Sequence, residues 1–588
     1  MEFIAHNLAP IMFAGLICFL LVGFPVAFSL GACGLFFAFI GIELNVLPEA
    51  LLQALPLRIY GIMQNDTLLA IPFFTLMGLI LERSGMAEDL LDTIGQLFGP
   101  IRGGLALAVI FVGALLAATT GVVAASVISM GLISLPIMLR YGYDRRLAAG
   151  VIAASGTLAQ IIPPSLVLII IADQLGRSVG DMYKGAFLPG LMLTGFYALY
   201  VILLAVIKPQ WVPALPPEAR TLREDNGKSG VPSLLVLTAI CTAASIYVAK
   251  NMPALHTWWS GEAVDKVALD ETIVVSMCFG VALAFVAASF NKITRLGLLS
   301  RAAERVTFAL IPPLLLIFLV LGTIFLGVAT PTEGGAMGAL GAIIMAVIRG
   351  RLSMSLLKQA LNTTTKLSCF VVFILVGATI FGLTFQGVDG PLWVEHLLSG
   401  LPGGQLGFLI VVNIMVFFLA FFLDFFELSF IVVPLLAPVA DKLGIDLIWF
   451  GVLLAINMQT SFMHPPFGFA LFYLRSVAPA KEYMDKVTKK MIAPVTTTQI
   501  YWGAIPFLCI QILMVALVIT FPGIVSSGLD KAEVYDLDKV RLEMEANVPA
   551  PMEQVDPTAG MPGSEAPAED DPLKAMQESL SQDAEKKN

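Results

Sequence analysis

The sequence predicts an all-α polytopic membrane protein that consists of two inverted repeats, each with a helical hairpin and an interrupted helix. Three observations support this prediction: an apolar composition, an alternation of basic and non-basic loops, and an internal repeat. Of the 588 residues, 58% are hydrophobic and 13% are charged, and the mean hydropathy is +0.88. A helix crosses a bilayer with about 20 mostly apolar residues, and roughly a dozen such stretches follow one another along the chain. This pattern excludes a soluble fold.

The formal net charge of −9 belongs entirely to the end of the chain. Residues 526–588 contain 15 acidic and 6 basic residues, which leaves 28 of each in the remainder. This tail is rich in Pro, Glu, Asp and Ala and poor in aromatic residues, so we expect it to be largely disordered. A solvated extension is favoured over a docking segment, although a short helix near residues 536–546 fits the pattern.

The cysteine and histidine residues do not indicate a cofactor. The six cysteines occur singly within apolar stretches, and the four histidines are too few for a multi-histidine haem or copper centre. We therefore expect no cofactor, no metal other than a coupling ion, and no nucleic-acid partner. The surroundings of the chain are the lipid bilayer.

Basic residues alternate between the loops and predict the orientation of the chain. Twenty Lys and Arg residues fall in five loops, against five in the loops between them. Positively charged loops stay on the cytoplasmic side, which predicts a multi-pass protein of the bacterial inner membrane with its C-terminal tail in the periplasm. The five basic loops are residues 140–146, 208–228, 292–305, 349–366 and 475–490.

Two apolar stretches, at about residues 104–138 and 406–440, are too long and too broken for single crossings. Each is interpreted as a helical hairpin. The first is interrupted at Thr119, Thr120 and Gly121, and the second between Asp424 and Glu427. Non-helical backbone at membrane depth is tolerated only where it is buried in protein or lines a wet cavity. Both tips are therefore candidate parts of a binding site.

The two halves of the chain match when residues 136–166 are shifted by 302 positions. Six positions are then identical, against about two expected by chance, and most of them are helix breakers. Because the matched loops differ in basic residues, the two repeats are predicted to have opposite orientations. Inverted repeats with paired interrupted helices are typical of secondary transporters. The matched residues are Pro136, Gly142, Asp144, Ala153, Pro163 and Pro164 with Pro438, Gly444, Asp446, Ala455, Pro465 and Pro466.

A double proline interrupts the helix that follows each hairpin: Pro163 and Pro164 in the first repeat, Pro465 and Pro466 in the second. Two adjacent prolines remove two amide donors and cannot lie in a continuous helix. Carbonyl groups freed at such a break can bind a small cation, and the N-terminus of the second half-helix favours an anion. The alternative is a packed kink that binds nothing.

Hydroxyl and amide side chains precede both breaks, and neutral oxygen ligands of this kind suit sodium. In membrane helices the same hydroxyls often bond the carbonyl group one turn back, which is the alternative for each of them. The candidate ligands are Ser155, Thr157 and Gln160 in the first repeat and Asn457, Gln459, Thr460 and Ser461 in the second.

Three further polar side chains stand in apolar surroundings. Asp424 and Glu427 are intramembrane carboxylates, which indicates ion binding, proton transfer or a buried structural pair. His464 has no counterpart in the first repeat, where Ile162 takes its place. If it lines an ion site, that site is sensitive to pH. Glu333 is expected to cap the helix that begins near Pro331.

Six short motifs, in this order, resemble the large M-type (DctM-like) subunit of tripartite ATP-independent periplasmic (TRAP) transporters, over about residues 14–522. The combination is specific, whereas each motif alone is weak. The motifs are Gly23-Phe24-Pro25-Val26-Ala27, Ile71-Pro72-Phe73-Phe74, Ile161-Ile162-Pro163-Pro164-Ser165, Ala329-Thr330-Pro331-Thr332-Glu333, Leu423-Asp424 and Pro465-Pro466-Phe467-Gly468.

This resemblance implies an elevator-type carrier, in which a fixed scaffold supports moving hairpins and interrupted helices that carry substrate and sodium. Thr119, Thr120 and Gly121 would form the first hairpin tip, and Leu423 and Asp424 the second. It also implies two partners, a small four-helix membrane subunit (Q-type) and a periplasmic solute-binding protein (P-type). The expected substrate is a small organic acid, because half-helix N-termini suit an anion.

The resemblance divides the chain into seven parts. They are scaffold segments (1–100), the first hairpin and interrupted helix (101–207), a cytoplasmic loop with two extra transmembrane helices (208–305), a second scaffold part (306–405), the second hairpin and interrupted helix (406–475), a final transmembrane helix (476–525) and the acidic tail (526–588).

Three features depart from the family pattern: Val122 replaces a small hydroxyl residue, His464 replaces a threonine, and residues 230–290 add two crossings. The nearest alternative function is a self-sufficient sodium- or proton-coupled dicarboxylate or citrate symporter. An intramembrane hydrolase that uses Ser155 and His464 is disfavoured, because the sequence around Ser155 lacks the glycine two positions before the serine.

Overall fold

A computed structural model describes residues 3, 7–120, 123–222, 224, 230–261, 267, 269–485, 487–527 and 529. The acidic tail beyond residue 529, including the helix considered near residues 536–546, lies outside the described residues, as do residues 121–122 of the first hairpin tip. The described chain is helical almost throughout. Two two-residue strands, β1 (Tyr483–Met484) and β2 (Met491–Ile492), pair in an antiparallel ladder.

In the first half of the chain the α-helices are α1 (Leu8–Val22), α2 (Val26–Glu43), α3 (Leu55–Met63), α4 (Ala70–Arg83), α5 (Met86–Phe98), α6 (Gly104–Thr120), α7 (Val123–Arg140), α8 (Arg145–Thr157), α9 (Leu166–Gln174) and α10 (Val179–Ile207). Between them lie short 3-10 turns, at Glu49–Ala54, Asp66–Leu69, Leu158–Gln160, Pro209–Trp211 and Pro217–Ala219.

In the second half the α-helices are α11 (Val231–Lys250), α12 (Met252–Ser260), α13 (Leu269–Thr294), α14 (Arg301–Phe325), α15 (Pro331–Ile348), α16 (Met354–Gly387), α17 (Gly390–Ser399), α18 (Gly404–Leu419), α19 (Phe425–Glu427), α20 (Val433–Lys442), α21 (Leu447–Thr460), α22 (Phe469–Val477), α23 (Thr497–Thr520) and α24 (Gly523–Ser526). One π-helical turn, Leu428–Val432, joins α19 to α20.

The apolar helices are long enough to make the chain a polytopic membrane protein. Within the described residues, nine helices have the length and composition of a membrane span, and two bent helix pairs raise the number to eleven. The two extra crossings expected between residues 230 and 290 are present as α11 and α13, which pack against each other and against α14.

Close backbone contacts make α2 and α16 a tightly packed helix pair. At Gly34, a Cβ atom would lie 2.9 Å from the carbonyl oxygen of Ile380, and at Gly377 it would lie 2.5 Å from that of Ala27. Small residues at such positions let membrane helices approach until their backbones touch. The second extensive pair, α4 with α15, packs beside it and completes the predicted scaffold.

The hairpins and interrupted helices pack together in a group whose most buried part is the first interrupted helix. Hairpin 1 consists of α6 and α7, and interrupted helix 1 of α8 and α9. Hairpin 2 runs from α18 to α20, and interrupted helix 2 consists of α21 and α22. Every residue from Leu147 to Ala172 is buried. The final membrane helix, α23, belongs to this group, because a Cβ atom at Gly150 would lie 2.1 Å from the carbonyl oxygen of Gly503.

The structure repeats the local conformations that the 302-residue shift predicts. Pro136 and Pro438 lie inside α7 and α20. Gly142 and Gly444 have φ angles of 82° and 72°, a left-handed conformation that favours glycine. Asp144 and Asp446 cap the N-termini of α8 and α21 with their carboxylates. Both double prolines contain a cis peptide bond, Pro163–Pro164 and Pro465–Pro466. The internal repeat is therefore structural.

A loop after interrupted helix 2 is attached to hairpin 1 by a buried carboxylate. Arg140 Nε lies 2.9 Å from Asp485 Oδ1, and the amide of Thr488 donates to Asp485 Oδ2 at 2.6 Å. The Asp485 side chain is 3% exposed. Burial alone raises the pKa of Asp485, but the hydrogen bonds from Thr488 and Arg140 outweigh it and lower the pKa to about 2.

We expect Asp485→Asn to lower the midpoint of thermal unfolding in detergent, with a cost of about 1–3 kcal/mol. Because the pKa of Asp485 is lowered, its contribution to stability is complete above the unfolded-state pKa of about 3.9 and is lost only as the pH falls toward 2. The difference in unfolding midpoint between the wild type and the variant should therefore be the same at pH 7 and pH 5. A difference that disappears at pH 5 would contradict this assignment. Asp441→Asn, which removes an exposed partner 3.9 Å from Arg177, is the control with little expected effect.

Candidate functional site

A cavity of about 270 Å³ lies where both hairpins, both interrupted helices and the scaffold meet. Leu166 and Phe469 are the first residues of the half-helices α9 and α22. The cavity is mainly aromatic and aliphatic, and among the described lining residues Asp424 carries the only charge. Its lining consists of Val123 and Ala124 of hairpin 1; Leu166 of interrupted helix 1; Leu367 and Phe370 of α16; Asp424, Phe425 and Phe426 of hairpin 2; and Phe462, Phe469 and Tyr473 of interrupted helix 2.

The tip of hairpin 2 is held by a capping box. Asp424 Oδ1 accepts hydrogen bonds from the amides of Phe426 (2.7 Å) and Glu427 (3.2 Å), and Glu427 Oε2 accepts from the amide of Asp424 at 3.0 Å. Each carboxylate thus satisfies backbone donors that the helix start leaves free. Asp424 is the N-cap residue of α19 and therefore lies before the first turn of that helix. Leu423 is buried directly before it.

The break in interrupted helix 1 is closed by Ser165. Its hydroxyl donates to the carbonyl oxygen of Gln160 at 2.5 Å and accepts from the amide of Leu168 at 3.4 Å. The side chain spans Pro163 and Pro164 and caps α9 on their far side. Gln160 itself is 1% exposed, and neither its side-chain oxygen nor its nitrogen has a hydrogen-bond partner in the described structure. Such a buried amide can still bind an ion or a water molecule.

The break in interrupted helix 2 contains tight backbone turns instead of a capping side chain. The amide of Met463 donates to the carbonyl oxygen of Thr460 at 2.9 Å, and the amide of Ala470 donates to that of Phe462 at 3.1 Å. The N-cap residue of α22 is Gly468, and no side chain caps this helix N-terminus. The start of this half-helix lies at the cavity, which Phe469 lines.

The two interrupted helices touch at equivalent positions of the repeat. Gln459 Nε2 donates to Thr157 Oγ1 at 3.1 Å, and the two residues are 302 positions apart. Gln511 of α23 also donates to Thr157 Oγ1, at 3.4 Å, and to the hydroxyl of Tyr197 at 2.9 Å. The side-chain oxygens of Gln459 and Gln511 are buried without a partner in the described structure. This polar cluster marks the axis that relates the two repeats.

His464 lies in an aromatic pocket beside the break. Its ring stacks on Phe421 with a centroid distance of 4.3 Å and meets Phe417 edge-on at 4.2 Å. The side chain is 1% exposed, and neither ring nitrogen forms a hydrogen bond within the described residues. The hydrolase alternative needs a hydrogen bond between Ser155 and His464, whereas the Ser155 hydroxyl donates to the carbonyl oxygen of Val151.

The structure brings some of the predicted site residues together and assigns local partners to others. Asp424 lines the cavity, Leu423 and Glu427 support it, and both double prolines lie at the breaks. The Thr460 hydroxyl donates to the carbonyl oxygen of Asn457 and the Ser461 hydroxyl to that of Met458, as the back-bonding alternative expected. Asn457 Nδ2 reaches the carbonyl oxygen of Asn413 at 2.7 Å and joins the break to hairpin 2.

Other predicted residues fall outside the described part of the chain, and several lining residues were missed. The side chains of Thr119 and Thr120, together with Gly121, are not among the described residues. Sequence analysis missed Leu166, Phe469 and Tyr473, which it regarded as ordinary apolar helix. It also missed Gln511, an isolated amide in an apolar span, which is a signal that could have been used.

A family model described as "Tripartite ATP-independent periplasmic transporter, DctM component" matches residues 13–264 and 267–524. The chain belongs to this family. The match covers both hairpins, both interrupted helices and the two extra helices, so the predicted resemblance is confirmed. The chain is therefore a large TRAP permease subunit, and the assignment as a multi-pass membrane protein agrees with this membership.

Curated relatives agree with the family. The C4-dicarboxylate TRAP transporter large permease protein DctM of Rhodobacter capsulatus is 27% identical over 481 residues, which cover 79% of this chain and 89% of that protein. The sialic acid TRAP transporter large permease protein SiaM of Vibrio cholerae is 24% identical over 505 residues, which cover 86% of this chain and 94% of that protein. Among solved structures, the Alcanivorax borkumensis YdaH transporter matches with a TM-score of 0.46 and 13% identity, over 80% of this chain and 87% of that chain.

We expect Thr157→Val to destabilise this TRAP permease, because it leaves the amides of Gln459 and Gln511 without their common acceptor. The cost of unsatisfied buried donors is about 1–3 kcal/mol, measured as a lower midpoint of thermal unfolding in detergent. Thr194→Val is the matched control, since the Thr194 hydroxyl donates to the carbonyl oxygen of Gly190 in its own helix. If both substitutions lower the unfolding midpoint equally, the contact between Thr157 and the two glutamines does not contribute to stability.

Proposed function

We propose that this large TRAP permease subunit imports a small organic acid, driven by a sodium gradient, after a periplasmic solute-binding protein delivers the substrate. The observation that carries the proposal is the convergence of two hairpins and two half-helix N-termini on one cavity at the scaffold. Secondary transporters bind substrate and ions at such broken helices.

The substrate class is supported by the charge of the half-helix ends and by the relatives. A helix N-terminus carries a partial positive charge, so two of them at one cavity favour the carboxylate of an organic acid. The named substrates of the two relatives, a C4-dicarboxylate and sialic acid, are both organic acids. The aromatic lining adds apolar contacts that suit the carbon skeleton of such an acid.

Sodium coupling is supported by oxygen atoms that the protein leaves unpaired. The cavity carries one carboxylate, Asp424, and the breaks beside it carry the buried amides of Gln160 and Gln459. A monovalent cation near Asp424 would offset the charge of that residue and so reduce its repulsion of an anionic substrate. Divalent-metal chemistry is not needed for this role, because hard neutral oxygens and one carboxylate suit a monovalent cation.

The elevator movement is supported by the division of the fold. The α2–α16 pair is locked by close backbone contacts, and the interrupted helices form their own buried unit with α23. The cavity lies where these two groups meet, lined by Leu367 and Phe370 from α16 and by the hairpins from the other side. Sliding of one rigid group past the other would carry the cavity across the membrane.

The deciding experiment is gentle purification of the tagged permease from its native host, with identification of co-purifying proteins by mass spectrometry. We expect a stoichiometric four-helix membrane subunit, the Q-type partner. In proteoliposomes, the pair should then take up an organic acid only with an inward sodium gradient and the P-type binding protein. A permease that purifies alone and takes up dicarboxylates without a receptor would overturn the proposal in favour of the self-sufficient symporter.

We expect Asp424→Asn to weaken sodium binding without loss of the fold. The asparagine oxygen can keep the two backbone hydrogen bonds that Asp424 Oδ1 accepts, because Asn is as good an N-cap as Asp. Loss of the charge should raise the sodium concentration needed for thermal stabilisation by about tenfold, measured with sodium against choline chloride. Asp446→Asn, a cap of the same kind at α21, should leave the sodium response unchanged.

A further inference from the structure

A second cavity, of about 720 Å³, opens between α13, α14 and the end of α15, away from the transport cavity. We call it the basic cleft. Phe285, Phe308, Pro312 and Ile348 form its apolar walls, and Asp89 and Glu304 are its acidic residues. Its basic residues are Lys292, Arg301, Arg305, Arg349 and Arg351.

The acidic residues do not balance the basic ones. Asp89 serves two guanidinium groups, with Arg349 at 3.2 Å and Arg351 at 2.9 Å, and Arg305 pairs with Asp92 at 2.6 Å. Lys292 Nζ lies 4.7 Å above the ring of Phe308 and has no carboxylate partner within the described residues. Among the described residues, five basic side chains face two carboxylates of the lining and Asp92, so the cleft keeps a net positive charge.

The cleft is predicted to face the cytoplasmic leaflet. Its basic residues come from two of the loops that their Lys and Arg content assigns to the cytoplasm, 292–305 and 349–366. That leaflet holds anionic lipids, and basic pockets between membrane helices on this side bind their headgroups.

Two apolar stripes run from the cleft into the membrane. On α14, Phe308, Pro312, Leu315 and Leu319 follow each other at helical spacing, and Leu315 is 52% exposed. On α15, a stripe of Ile348, Ile344 and Leu340 begins at the same cleft and is exposed along its length. A free phosphate ion makes no apolar contact with these stripes, whereas the acyl chains of a phospholipid can pack on them.

We propose that the basic cleft binds an anionic phospholipid, with the phosphate between Lys292, Arg349 and Arg351 and the acyl chains along α14 and α15. The bound lipid would join the extra helix α13 to the scaffold helices α14 and α15 from the cytoplasmic side. The site depends neither on the transport cavity nor on the substrate.

The experiment measures lipid binding to the purified full-length permease by native mass spectrometry and by thermal stabilisation. Phosphatidylglycerol and cardiolipin should be retained and should stabilise the protein, while phosphatidylcholine should not. Free phosphate and glycerol phosphate form a separate arm and should have no effect at matched concentration. Equal retention of all lipids, or stabilisation by free phosphate alone, would overturn the proposal.

Two substitutions and a control connect the effect to the cleft. Lys292→Gln and Arg349→Gln should each weaken binding of the anionic lipid about fivefold, and Arg351 still neutralises Asp89 in the second variant. Lys358→Gln removes an exposed basic residue of α16 that does not line the cleft, and it should leave binding unchanged. The proposal is wrong if all three variants bind the anionic lipid as the wild type does, or if Lys358→Gln weakens it equally.

Discussion

Two helices are interrupted inside an apolar protein, and the structure depends on hydrogen-bond partners for the backbone groups that these breaks leave free. A double proline removes two donors from each interrupted helix and leaves carbonyl groups of the preceding turn without partners. In the first repeat, the Ser165 hydroxyl bridges the break by bonding Gln160 and Leu168. In the second, backbone turns from Thr460 to Ala470 close it. Because lipid offers no hydrogen bonds, such breaks are tolerated only inside the protein or along a wet cavity. The first break is fully buried, whereas Pro466 and Phe467 of the second are exposed.

The contact between Thr157 and Gln459 explains why the two breaks face each other. These positions are equivalent in the repeat, so they can touch only where the axis between the repeats passes. Divergence to a long donor and a short acceptor gives one hydrogen bond across the axis, and Gln511 adds a second donor from outside the repeat. The asymmetry of the sequence is what makes the symmetric contact possible.

Sequence analysis succeeded where the signal was local. Apolar runs, double prolines and the Gly-x-Asp loops predicted the hairpins, the breaks, the repeat and the extra helices α11 and α13, because each depends on the conformation of a few neighbouring residues. The capping role of Glu333 was predicted and is confirmed by its box with Thr330. The equivalent spacing of Asp424 and Glu427 carried the same signal, but their position within an apolar run suggested ion binding, proton transfer or a buried pair, and the capping box was missed. The aromatic lining of the cavity depends on which distant helices meet, and no local pattern predicts that.

The electrostatics of the transport cavity favour an ion and an acid together over an acid alone. Two half-helix N-termini attract a carboxylate, but Asp424 in the same lining repels it. The capping bonds occupy Asp424 Oδ1 and keep the carboxylate at the tip of hairpin 2. In a mainly apolar cavity of this size, two anionic groups without a cation between them would be strongly unfavourable. In the proposed mechanism, a cation bound near the tip would offset the charge of Asp424, and binding of the acid would then depend on binding of the ion.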